Sequence, residues 1–209
     1  MRNVLASIAI SAMFLSTPAW AGWSVAQSRH FVIYSEKSPK ELREFATKLE
    51  RFDQAARVAM SMDDPDVGKG NRLTVFELPT VDAVEAVAGD KSGWVAGFYR
   101  GRVNGSLAYV PQELRNPQAE TDTIFFHEYS HHLMEQDLQR PYPLWYVEGF
   151  AEFLSTATID KDGSVWFGAP LQRRARVLLD GPRMDLATLA AGIQPKFTDE
   201  QRDLFYGRG

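Results

Sequence analysis

The amino-acid sequence predicts a single α+β domain. Runs rich in β-branched and aromatic residues fall in the first half of the chain. Apolar three- and four-residue periodicities dominate the second half, and no repeat, linker or low-complexity tract divides the two. With no cysteine among 209 residues, stability must come from a packed core rather than from disulfides.

The chain opens with Arg2, an apolar run from Val4 to Leu15, and then Ala19-Trp20-Ala21. The small residues at the two positions read by a signal peptidase make residues 1–21 a signal peptide. The run falls short of the ~20 apolar residues that a membrane span needs. The expected mature chain, residues 22–209, is one exported domain, periplasmic or secreted. It has no cysteine to carry a lipid, so no membrane anchor is expected. Cleavage removes one of 23 basic side chains, leaving 22 against 27 acidic ones and a net charge of −5. That balance argues against a nucleic-acid partner, which would need a clustered basic face.

Residues 29–35 (Arg-His-Phe-Val-Ile-Tyr-Ser) read as a strand. Ser38, Pro39 and Glu41 then start a helix with a capping box and a first-turn proline. Leu42, Phe45, Leu49, Phe52 and Ala56 form its apolar face, and its charged back reads as solvated surface. Residues 63–70 are turn-rich, 72–78 alternate as a strand, and 80–88 form a short helix. Residues 93–111 carry one or two antiparallel strands, with Trp94 and Phe98-Tyr99 expected in the core. Helices are expected over 118–138 and 143–157, separated by the Pro141-Tyr142-Pro143 turn. A hairpin arm at 163–167 and a helix at 171–180 follow.

One helix carries chemistry. In His127-Glu128-Tyr129-Ser130-His131 the histidines stand four residues apart, so both project from one helical face, about 40° apart. Two imidazoles so placed reach one metal at ~2.0–2.1 Å without bending the helix. Glu128, about 100° round from His127, lies beside the metal and not on it, the place this motif gives a general base. Zinc is the ion that this helical His-Glu-x-x-His spacing suits. A third protein ligand is still needed. The position six residues after His131, where a metzincin has histidine, is Asp137. The next helix offers Glu148 and Glu152, two acids one turn apart within Trp145-Tyr146-Val147-Glu148-Gly149-Phe150-Ala151-Glu152-Phe153. His132 reads as a surface residue or as support behind the ligands, and His30 as a strand residue without a chemical role.

Those two segments together resemble the gluzincin zinc metallopeptidases. Among them the likeness is to the bacterial peptidase-MA-like group, with its His-Glu-Tyr-x-His and Pro-x-Trp-x-x-Glu-Gly-x-Ala-Glu-Tyr/Phe pattern. The resemblance is strong over residues 125–155. It implies a zincin-like fold, a small mixed or antiparallel sheet packed on an active-site helix pair. It implies Glu148 as the third zinc ligand and Glu152 as an acid hydrogen-bonded to a ligand histidine. The implied reaction is hydrolysis of peptide bonds in a peptide or protein substrate by a metal-activated water, with Glu128 as general base. It also implies an antiparallel edge strand that pairs with substrate, at Ser106 to Val110, where an ordinary covered strand is the alternative. Hydrolysis calls for an oxyanion donor besides the metal, and Tyr206 is the candidate. Related sequences run past the Phe205-Tyr206-Gly207 segment into a further helix, so the expectation is either a C-terminal truncation at Gly209 or a domain that lacks part of its cleft wall. The rival expectation is a zinc-containing cell-envelope binding module of the same fold that performs no hydrolysis.

Overall fold

A computed structural model describes residues 22–66, 68–90, 95–102, 105–116, 121–136, 142–171, 174–175, 178–179, 181–193 and 197–208. The expected signal peptide, Trp94, Pro141 and Gly209 lie outside the described residues, as does most of the helix expected over 171–180.

The fold is a mixed α+β arrangement. Strands β1 (Ser24–Gln27), β2 (Phe31–Ser35), β3 (Leu73–Thr80), β4 (Phe98–Arg100) and β5 (Leu107–Glu113) form one sheet in the order β1-β2-β3-β5-β4. The three central strands are parallel, and the short edge strands β1 and β4 run antiparallel to their neighbours. Parallel neighbours need crossover connections. Helices α1 (Pro39–Met60) and α2 (Val81–Ala88) lie on those paths. Ser38 caps α1 with the expected capping box, its side chain accepting from Glu41 N–H.

Strand alternation decides what each sheet face does. Phe31, Ile33, Leu73, Val75, Ala108 and Val110 point to one side and are buried under α1 and the central helix α3 (Thr121–Gln136). The other face carries half-buried aromatics stacked across four strands. Tyr34 lies on Phe76 at 5.2 Å, Phe76 on Tyr109 at 5.1 Å and Tyr109 on Phe98 at 4.6 Å.

Among the described residues three later helices follow: α4 (Leu144–Ser155), α5 (Leu186–Ala191) and α6 (Asp199–Arg208). α4 packs directly on α3, and α6 packs on α4. A hairpin of β6 (Thr158–Ile159) and β7 (Val165–Trp166) reaches back to α1, close to the expected hairpin arm.

Three expectations need correction. Most of the expected edge, residues 107–109, is covered: there β5 pairs with β3 on one side and β4 on the other. At three residues, β4 is too short to stand out as a separate strand in the sequence. The back of α1 is not wholly solvated either. Asp53 and Arg57 are buried there, joined at 2.8 Å, with the Tyr129 hydroxyl 2.5 Å from the same carboxylate oxygen. His30, finally, lies just before β2 rather than in it, within hydrogen-bonding reach of Glu50 at 2.7 Å and Asp64 at 3.0 Å.

Candidate metal centre

The central helix is buried on more than one side, with Phe125, Phe126, Tyr129 and Leu133 in the core. Its remaining face, carrying His127, Glu128, His131 and Glu135, lines a cleft of ≈ 410 Å³. Val95, Gly97, Phe98 and Tyr99 form one wall of that cleft, and Tyr142, Val147, Glu148 and Tyr206 another. Phe98 and Tyr99, expected in the core, line this cleft, and Tyr99 packs against the core as well. Two larger hollows lie along α1, ≈ 500 and ≈ 750 Å³, and no histidine lines either.

Three ligand atoms converge in the cleft. His127 Nε2 and His131 Nε2 are 3.2 Å apart. Glu148 Oε2 lies 3.4 Å from the first and 3.7 Å from the second. Ligands held at ~2.0–2.1 Å around one tetrahedral ion stand ~3.3–3.4 Å from each other. The spacing fits a zinc-sized ion held by two imidazoles and one carboxylate. The helix pair explains the convergence: one turn of α3 sets the histidines, and the packing of α4 on α3 brings Glu148 across to them.

The electrostatics suit that donor set. Burial, together with the charge of His127, pushes the His131 imidazole down to about 4, so it is neutral with a lone pair free for a metal. Burial alone would lower His127 too, but the bond to Glu148 and the charges of Glu128, Glu152 and Glu148 outweigh it and raise it. Burial would raise Glu148; the adjoining imidazoles and Arg174 outweigh that and hold it below the usual carboxylate range. Glu128 differs. Burial dominates and moves it up to about 7, although the charge of His127 and the backbone amide of Tyr99 pull the other way.

Glu152 is buried behind His127, but its nearest oxygen is 4.0 Å from His127 Nδ1, beyond a hydrogen bond. The expected hydrogen bond to a ligand histidine is not formed. That same oxygen instead accepts from Arg174 Nη2 at 2.7 Å. Arg174 also donates to Asp203 on α6, and its guanidinium lies 5.1 Å from the centre of the Tyr206 ring. It therefore ties α4 to α6 and seats Tyr206 at the cleft. The Tyr206 ring centre is 6.4 Å from that of His127. Burial, then the charge of Glu148, moves its hydroxyl up to about 12, so the phenol keeps the proton it could donate.

The structure thus brings His127, Glu128, His131, Glu148 and Tyr206 into one cleft, with Glu152 behind it. Sequence reasoning missed Arg174, whose partners lie 22 and 29 residues away and leave no local signal. It also missed Tyr99, whose hydroxyl contacts His132 and Glu135 of α3. His132 is buried rather than exposed, and burial pushes it down to about 4. Compared with known proteins, the chain matches no family model and no curated relative. No described helix is long and apolar enough to cross a membrane.

Proposed function

We propose that this chain is an exported, zincin-like zinc metallopeptidase domain that hydrolyses peptide bonds. The observation that carries the reading is the convergence of His127, His131 and Glu148 at tetrahedral spacing with the Glu128 carboxylate in the same cleft. A purely structural metal site has no use for a fourth, non-ligating acid lining an open cleft beside it.

Zinc, when bound, supplies Lewis acidity and lowers the pKa of water toward ~7. His127, His131 and Glu148 are the residues that would hold it. Glu128 takes a proton from the attacking water and passes it to the leaving amine, the general base becoming the general acid. Tyr206, still protonated at neutral pH, donates its O–H to the oxyanion that develops on the scissile carbonyl. Arg174 and Glu152 hold α4 and α6 together behind these groups.

The test compares wild type with Glu128→Gln for zinc content and for cleavage of casein as an unstructured substrate. The expected result is one zinc per chain in both proteins and a loss of at least about 10²-fold in cleavage by the variant, the usual scale of general acid–base catalysis. Zinc in both proteins with no cleavage by either would favour a non-catalytic binding module of the envelope. Absence of zinc from both would sink the reading.

A further inference from the structure

Strand β4 meets α3 in a way that neither the ligand set nor the proposed proton transfers require. Tyr99, the middle residue of β4, turns its side chain toward α3. Its hydroxyl lies 3.0 Å from His132 Nδ1 and donates at 2.9 Å to Glu135 Oε2, with Ser106 Oγ at 3.0 Å. Gly97, two residues before it, packs close to the Glu128 side chain. Two α3 residues about one turn apart, 132 and 135, therefore grip a single residue of the edge strand, with Glu128 beside it.

The flanking glycines make that approach possible by lacking a side chain. A Cβ at Gly97 would collide with the Ile124 side chain and lie 3.3 Å from Glu128 Cγ. A Cβ at Gly101 would collide with the Glu135 carboxylate. The far end of the grip is anchored as well. His132 Nε2 is 2.7 Å from Gln136 Nε2, and Gln136 accepts at 3.2 Å from Arg57, which is paired with buried Asp53 on α1. The polar chain runs from the helix behind the core to the rim of the cleft. Networks of this kind rigidify what they join when each member is satisfied.

We propose that Tyr99 is a positioning residue: it clamps edge strand β4 to α3, setting the cleft's open strand edge and the Glu128 carboxylate at a fixed separation. The catalytic consequence rests on the peptidase reading, whereas the clamp itself does not. A substrate strand laid along β4 would then meet the base at a constant distance, and small misplacements cost rate steeply.

The experiment uses the full purified protein in three forms: wild type, Tyr99→Phe and Glu135→Gln. The last keeps an acceptor for the Tyr99 hydroxyl. Amide hydrogen exchange is followed over residues 97–101, with β2 (31–35) as the internal reference, alongside zinc content and kcat and KM on an unstructured peptide. The clamp predicts that Tyr99→Phe speeds exchange at 97–101 about tenfold and leaves β2 and zinc content unchanged. It also predicts a kcat lowered about tenfold with KM within about twofold, and exchange at 97–101 near wild type for Glu135→Gln. Unchanged exchange at 97–101 overturns it. So does an equal acceleration in β2, which would make Tyr99 a general stability residue, or an unchanged kcat in a loosened strand. If wild type cleaves nothing while Tyr99→Phe still loosens 97–101 alone, the clamp stands and the peptidase reading falls.

Discussion

Tyr206 and Arg174 show how single side chains divide the work at the cleft. Arg174 is buried, bound to Glu152 on α4 and Asp203 on α6, and lies under the Tyr206 ring. The tyrosine ring is therefore held by packing at the cleft, and in the proposed reaction its hydroxyl donates to the developing oxyanion. Tyr206→Phe should lower kcat by about 10- to 10³-fold, the range set by loss of one oxyanion donor, with zinc content unchanged and KM little altered. Steady-state kinetics on a peptide substrate checks this; an effect on KM alone would reduce Tyr206 to a binding contact. At this scale the candidate ligands His127 and His131 were legible as neighbours, because helical spacing alone puts them on one face. Arg174 was not legible. Charged side chains are rarely buried, and its burial follows from acids that only the tertiary fold brings near.

At the scale of elements, α3 determines most of what surrounds it. Phe52 of α1 stacks on Phe126 of α3, ring centres 4.0 Å apart and nearly parallel, and both are buried. Replacing Phe52 by Ala should destabilise the protein by about 3–5 kcal/mol, the usual cost of deleting a buried aromatic. Urea unfolding measures it, and a loss under about 1 kcal/mol would mean that α1 can settle onto α3 and fill the gap. Helix α1 could be read from apolar periodicity and its capping box, and the two helices of the candidate site from the apolar segments around the histidine motif and the proline-rich turn between them. Strands β1 and β4, at four and three residues, are too short to show a period. Helix α6 did leave a local mark: Thr198 and Gln201 exchange backbone and side-chain bonds as a capping box. Helix α5 has an N-cap, Asp185 accepting from Thr188 N–H at 2.7 Å, but only six residues follow in which a periodicity could appear.

The molecule as a whole is a five-stranded mixed sheet with its helical core on one face. Its parallel centre and antiparallel edges are long-range outcomes that composition does not contain. Burial of His30 between β2 and α1 gives the assembly a pH signature. Burial would lower His30, but its hydrogen bonds to Glu50 and Asp64 and the charges of Asp53 and Glu50 raise it above 6.5. Burial would raise Glu50, yet the bonds from His30 and Ser28 pull it to about 2 from 4.5. Arg29 pairs with Asp64 and Arg57 with Asp53, which completes the charged surroundings. The raised His30 stabilises fully below pH 6.5, and that contribution fades as pH rises through its folded value. The lowered Glu50 stabilises above pH 4.5, and its contribution fades as pH falls toward 2. His30→Gln should therefore lower Tm most between about pH 4.5 and 6.5, with the gap to wild type narrowing above that window. A gap independent of pH would show that His30 contributes by packing alone.

The central claim is that one ion sits between α3 and α4 on two imidazoles and a carboxylate. X-ray absorption at the zinc edge of the purified protein, with metal analysis of the ligand variants, tests it most directly. The account predicts one zinc per chain with two histidine nitrogens and oxygen ligands at ~2.0–2.1 Å, and at least about tenfold weaker zinc binding in His131→Ala and Glu148→Ala. Stoichiometric zinc retained by both variants, or a wild type that takes up none, would contradict it.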